Sequence, residues 1–173
     1  MFTDSASFVE YWKNARSRTL RILDRLRSED LEWSYAPGKF TFGDLFRHLA
    51  GIERYMYAEN VLNRLSIYPG HSPDLAADSQ LVRAYLERTH AEAVAIFSGL
   101  TTEALTSKCV TPAGTPITVW KWLRSMVEHE AHHRGQLYLM AGMRGLQVPP
   151  LFGLTEEQVR SLSSPSKPND PVA

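Results

Sequence analysis

The sequence predicts an all-α protein, a four-helix bundle with a long crossover between helices two and three and a short C-terminal extension. Two observations carry this. Four long segments repeat apolar residues at helical spacing, and the stretches between them are rich in Gly, Pro, Ser and Thr. The 173 residues suit one domain, long enough to bury a substantial core without disulfides or a structural metal. The expected division is a single domain over 1–162 and a flexible tail over 163–173, where "SSPSKPNDPVA" offers almost nothing to bury.

Helix one is expected from about Ser5 to Leu26, with Phe8, Trp12, Ala15, Thr19, Ile22, Leu23 and Leu26 on one face. Helix two follows "SYAPGKF". Thr41 stands three residues before Asp44, so a hydroxyl and a carboxylate can satisfy free N-terminal amides, and the apolar period continues to about Leu65. The link "SIYPGHSPDLAAD" is too long for a tight hairpin and reads as a crossover at the end of the bundle. Helix three spans about Ser79 to Leu100, and the following "TTEALTSKCVTPAGTPIT" alternates around Lys108 to Val110 like a short extended excursion. Thr115 and Pro116 read as the cap and first position of helix four, because proline's missing amide hydrogen is harmless in a first turn. That helix runs to about Met143, with Gly145 as its stop, "QVPPLFG" as a loop and a short helix near Thr155 to Leu162.

Composition narrows the function classes. Nineteen Lys and Arg balance nineteen Asp and Glu, so no broad basic surface is expected for nucleic acid or anionic lipid. The single cysteine, Cys109, excludes an internal disulfide framework and fits a reducing compartment. The N-terminal segment carries acids and has no uninterrupted apolar stretch, and no segment is long and apolar enough to span a membrane. The expectation is a cytoplasmic protein with no nucleic-acid or membrane partner.

Chemistry concentrates in "VEHEAHHRGQLYLM", Val127 to Met140. His129 and His133 are four apart, so their directions differ by about 40° and two imidazoles stand one turn apart on one helical face. The mean apolar direction of Val119, Trp122, Leu123, Met126, Leu137 and Met140 lies about 30° from His133, about 70° from His129 and about 130° from His132. His132 is therefore expected to face solvent or to support the site from outside. A third ligand is offered by His48 in "DLFRHLAGIERYM", at the edge of the stripe formed by Leu45, Leu49, Ile52 and Met56. Three imidazoles that leave coordination positions open suit a catalytic metal site better than a closed structural one. Glu130 lies in the apolar sector of its helix and is a candidate fourth ligand or supporting acceptor.

A di-iron carboxylate site competes, because "ERTH" (Glu87 to His90) and "EAHH" (Glu130 to His133) both show Glu-x-x-His. Direction disfavours it, since Glu87 points about 150° away from the apolar stripe of helix three. His71 in its Pro/Gly loop and His90 are not expected to be ligands. Arg134 could recognise an anionic substrate, although its direction favours a surface salt bridge; Gln136 could hydrogen-bond a ligand or solvent; Gly135 reads as a close-packing position. Cys109 has no histidine near it in sequence and is a poor candidate nucleophile.

These residues resemble the DinB-like superfamily of four-helix bundles. "TFGDLFRHLAGIERYM" (Thr41 to Met56) looks like the family's second helix, which supplies one metal-binding histidine, here His48. "HEAHHRGQL" (His129 to Leu137) looks like its fourth-helix signature, which supplies two more, here His129 and His133. The resemblance covers roughly Phe8 to Leu151 and implies an up-down-down-up bundle, frequent homodimers and a divalent transition metal such as zinc, nickel or iron. Relatives include S-transferases that use a low-molecular-weight thiol as co-substrate, and many members without an assigned activity, so fold and metal transfer better than reaction.

The expected function is accordingly a metal-dependent thiol transferase acting on small electrophiles, with a thiolate as nucleophile. Two alternatives are a metal-dependent hydrolase on the same scaffold and a stress-associated metal-binding or interaction protein without turnover. The aromatic supply, including Trp12, Trp33, Tyr55, Tyr57, Trp120 and Trp122, would serve the core first and a dimer interface second.

Overall fold

The computed structural model describes residues 4–163, so the tail expected over 163–173 lies outside the described residues from 164 onward. Helix α1 (Ser5–Leu23) is capped by Asp4, whose carboxylate accepts from the Ser7 amide at 2.7 Å. It stops short of the expected Leu26 because the Arg25 and Leu26 amides bond back only three residues, to Ile22 and Leu23, which closes the helix.

Helix α2 (Phe42–Ile52) starts at the expected cap. The Thr41 hydroxyl accepts from the Asp44 amide (2.9 Å) while the Asp44 carboxylate accepts from the Thr41 amide (3.0 Å). Beyond Ile52 the helix widens into a π-helical segment (Glu53–Tyr57) and finishes as the short turn α3 (Ala58–Asn60), five residues before Leu65. Asn63 adopts a positive φ of 56° just after it, a conformation Asn tolerates and a helix does not.

The crossover that follows does not stay at one end of the bundle; it runs back along α2. The Ile67 amide donates to Tyr55 O, Tyr68 reaches His48, and Arg47 donates to the carbonyls of His71 and Ala76. Arg47 is fully buried, with Glu32 and Asp44 as its counter-charges, so one guanidinium ties the crossover to α2. Gly51 allows this closeness: a Cβ there would meet the Tyr68 ring at 3.1 Å.

Helix α4 (Ser79–Ser98) is capped by Asp78, and a short helix α5 (Thr102–Thr106) precedes the extended excursion. That excursion is a hairpin of β1 (Lys108–Val110) and β2 (Pro116–Thr118), with Cys109 opposite Ile117. Here the expectation at Thr115 and Pro116 is corrected, since Pro116 begins a strand and helix α6 (Val119–Met143) starts only after Thr118. The turn decides the matter: Thr111 and Thr115 bond each other across Gly114, whose φ of 79° suits glycine. Proline is tolerated as the first residue of a strand. A last helix α7 (Glu156–Ser163) sits where a short one was expected.

Two apolar clusters fix the topology. One gathers Phe8 and Trp12 of α1, Tyr57 and Ala58 at the end of the second helix, Phe97 near the end of α4, and Val119 and Leu123 at the start of α6. The other gathers Ile22 and Leu23, Phe42 and Leu45, Val82 and Leu86, and Leu137 and Met140, from the opposite ends of the same helices. The four long helices therefore run up, down, down and up, as a four-helix bundle. Among the described residues no helix is long and apolar enough to cross a membrane.

Between the clusters lies a buried polar layer. Glu53, 1% exposed, accepts from Trp12 Nε1 (2.6 Å), from Arg16 (2.5 Å) and from His90 Nδ1 (2.8 Å). Arg16 also faces Glu130 at 3.4 Å, and Glu130 accepts from the Thr19 hydroxyl at 2.5 Å. Burial pushes the Glu53 carboxyl up, but the Arg16 charge, aided by His90 and Trp12, more than reverses this and holds it below its ordinary range.

Candidate metal centre

The three expected ligands come together. His48 from α2 and His129 and His133 from α6 each offer one nitrogen within 4.8 Å of the others. His129 Nε2 lies 3.1 Å from His48 Nε2 and 3.0 Å from His133 Nε2, so three ring nitrogens of the same kind converge on one point. The i, i+4 spacing on α6 supplies two of them on one face, and α2 runs antiparallel alongside to supply the third.

The outward nitrogens are held. His133 Nδ1 donates to Gln136 Oε1 at 2.7 Å, and His48 Nδ1 shares a hydrogen bond with the Tyr68 hydroxyl at 2.7 Å. A ring that donates through Nδ1 turns a lone pair inward at Nε2. His133 is so arranged, and whichever tautomer His48 takes, the three facing Nε2 atoms share one proton at most between their two contacts, which leaves one contact without a hydrogen. A cation resolves that conflict. The three nitrogens lie close enough together that Nε2 of His48, His129 and His133 would hold one small divalent ion, and imidazole suits the later first-row metals.

The electrostatics keep the rings neutral. Burial, reinforced by the charges that His129, His133 and His71 would carry, pushes His48 down to about 3. His129 is pushed down to about 4 by burial and by His133, His132 and Arg16. His133 is also lowered by burial, against the opposing pull of its bond to Gln136.

Phe40 covers the cluster. Its ring is stacked on His48 (centroids 5.9 Å apart) and meets His71 and His133 edge-on at 4.8 and 6.3 Å. Beside it opens a cleft of about 440 Å³ lined by Tyr35, Lys39, Phe40, Leu45, Gln136, Leu139, Met140 and Met143. None of the three histidines lines this cleft; Phe40 and Gln136 form the boundary between them.

Other expected residues fall differently. Glu130 is buried and spent on Thr19 and Arg16, so it joins the polar layer rather than the histidine group. Arg134 makes no surface salt bridge: it is 8% exposed and donates to Ala15 O at 3.2 Å, because α1 packs over that edge of α6. A Cβ on Gly135 would meet nothing within 4 Å, so this glycine is not a close-packing position. His132 is exposed, Glu87 pairs with Arg83 on the surface, and His90 turns to Glu53, which leaves the second Glu-x-x-His without a site. His71 places its ring beside Phe40 and His48 but is not among the grouped ligands. Cys109 is fully buried, and burial pushes its thiol up, both unfavourable to a nucleophile. Trp12 and Tyr57 are core residues, and Trp122 packs on Tyr57 with centroids 4.5 Å apart.

Sequence reasoning missed Phe40, Tyr68, Arg16 and Glu53. Arg16 carried a signal, since it stands four residues after Trp12 and three before Thr19, inside the apolar face of α1. Phe40 and Tyr68 come from loops and carried none.

The sequence profile of the DinB superfamily matches residues 11–137. The chain belongs to the DinB superfamily. Its similarity to the uncharacterized Bacillus subtilis protein YrdA is 21% identity over 159 residues, covering 91% of this chain and 93% of that one. Among solved structures, a DinB-like protein from Bacillus cereus ATCC 10987 is 22% identical with a TM-score of 0.76, covering 87% of this chain and 99% of the other. The DinB-like protein YjoA from Bacillus subtilis is 18% identical with a TM-score of 0.65, covering 84% and 97%. These likenesses show the fold of this DinB superfamily member, while the case for a metal centre rests on the grouping of its own three histidines.

Proposed function

We propose that this DinB superfamily protein is a metal-dependent enzyme, a transferase that joins a low-molecular-weight thiol to a small electrophile. The observation that supports this best is the convergence of three Nε2 atoms, with Nδ1 of His48 and His133 engaged outside. Three protein ligands leave room for an exogenous one, as catalytic sites require. A bound divalent ion supplies Lewis acidity, which lowers the pKa of a thiol and presents it as the nucleophile. The chain's own residues do the rest. Tyr68 and Gln136 fix the orientation of two imidazoles, and Phe40 stacks over the face of His48.

The test begins with metal analysis of purified wild type beside His48→Ala, His129→Ala and His133→Ala. Wild type should carry one equivalent and each variant should lose it; stoichiometric metal in all three variants would overturn the site. Thiol consumption with model electrophiles then addresses chemistry. A thiol-dependent rate that disappears with the metal supports transfer, whereas ester turnover without thiol would make the protein a hydrolase. Metal without any turnover would leave a binding protein. The homodimer of this reading has a native mass of twice 19.6 kDa.

A further inference from the structure

The cleft beside the histidines is built for a particular kind of molecule. Its walls are Phe40, Leu45, Leu139, Met140 and Met143, and two unbranched thioethers let such a surface adapt to ligands of different shape. At about 30 Å³ per water-sized group, its volume of about 440 Å³ holds on the order of fifteen non-hydrogen atoms. Lys39 is the charged residue of its lining, and among the described residues its ammonium has no hydrogen bond or ion pair. Asp44, the acid of the neighbouring hollow that Lys39 also lines, is already engaged by Arg47 and by the Thr41 amide. A lone cation at the rim of an apolar cleft selects an anion that carries an apolar body.

The cleft also adjoins the candidate centre, with Phe40 and Gln136 between them. Phe40 touches the cleft and also packs on His48 and His133, and Gln136 lines the cleft while holding His133 Nδ1. A ligand lying there is one side chain away from the three nitrogens.

We infer that the cleft binds an amphipathic monoanion, an alkyl or aryl body against Leu45, Leu139 and the two methionines with its acid group on Lys39. In the role of electrophilic co-substrate this rests on the reading above; as a binding site it does not. Octanoate serves as the probe, measured by titration calorimetry against octyltrimethylammonium and 1-octanol.

Wild type should bind octanoate in the micromolar to millimolar range, and octyltrimethylammonium at least about tenfold more weakly. Lys39→Gln should weaken octanoate about two- to fivefold and leave octanol unchanged, as an exposed ion pair predicts. Leu139, 66% exposed, accepts a charge without threatening the fold, so Leu139→Glu should weaken octanoate about tenfold or more. His129→Ala should retain octanoate. No binding to wild type, equal binding by all variants, or tighter binding of the cation would overturn the inference. Loss in His129→Ala with none in Lys39→Gln would place the acid group at the histidines and overturn it too. Failure of metal loading with octanoate binding intact would count against the metal reading alone.

Discussion

At the scale of single residues, the centre depends on what holds the far side of each ring. Gln136 holds His133 and Tyr68 holds His48, so these two of the three imidazoles each have one outward atom engaged and one inward atom free. Gln136→Leu should weaken metal affinity about 10- to 100-fold, read by competition with a chelator, with helical content unchanged. Arg16 answers to a different demand, as the shared counter-charge of Glu53 and Glu130 inside the bundle. Arg16→Met should cost about 3–5 kcal/mol in urea unfolding, because two carboxylates would be left without it. The grouping of His129 and His133 was legible because helical periodicity gives direction, while His48, at the edge of its stripe, was picked out by the resemblance. Tyr68 and Phe40 were not legible, since loop residues carry no period. Arg134 was misread because a projection of α6 alone cannot show that α1 lies across its edge.

At the scale of elements, the second helix shows what sequence can and cannot reach. Its start follows from Thr41 and Asp44, and Thr41→Ala should lower stability by about 1 kcal/mol, measured by thermal or urea unfolding. Its interior widens at Glu53–Tyr57, where "ERYMY" offers no proline or glycine to announce the change. The packing explains it: the π-helical turn begins at Glu53, the carboxylate that Trp12, Arg16 and His90 hold in place. The start of α6 failed for the reverse reason. Thr115 and Pro116 make a strong local helix signal, and the pairing of β1 with β2 outweighs it.

For the whole molecule, the topology was readable from the resemblance, and the crossover from its length, but its path along α2 needed Arg47 and Tyr68 in place. The half-buried histidines also give the chain a pH response. Unfolded histidines titrate near 6.5, whereas His48 and His129 are pushed down to about 3 and about 4 when folded. Between about 6.5 and about 3 the unfolded chain binds more protons, the share of His129 ending near 4, so metal-free stability falls as pH is lowered through that window. Most of the window lies above the range of Asp30, which its bonds to Arg27 and Arg144 hold down to about 2. A His48→Gln, His129→Gln, His133→Gln variant should show a flatter stability profile from pH 6.5 to 4 in urea titrations. The charged layer that separates the two apolar clusters has a mechanical meaning as well. Water reaching that layer is expected to loosen one cluster before the other, which would give the bundle two centres of stability. Native-state hydrogen exchange should therefore protect the amides of Leu123 and Leu137, on one continuous helix, with different opening free energies.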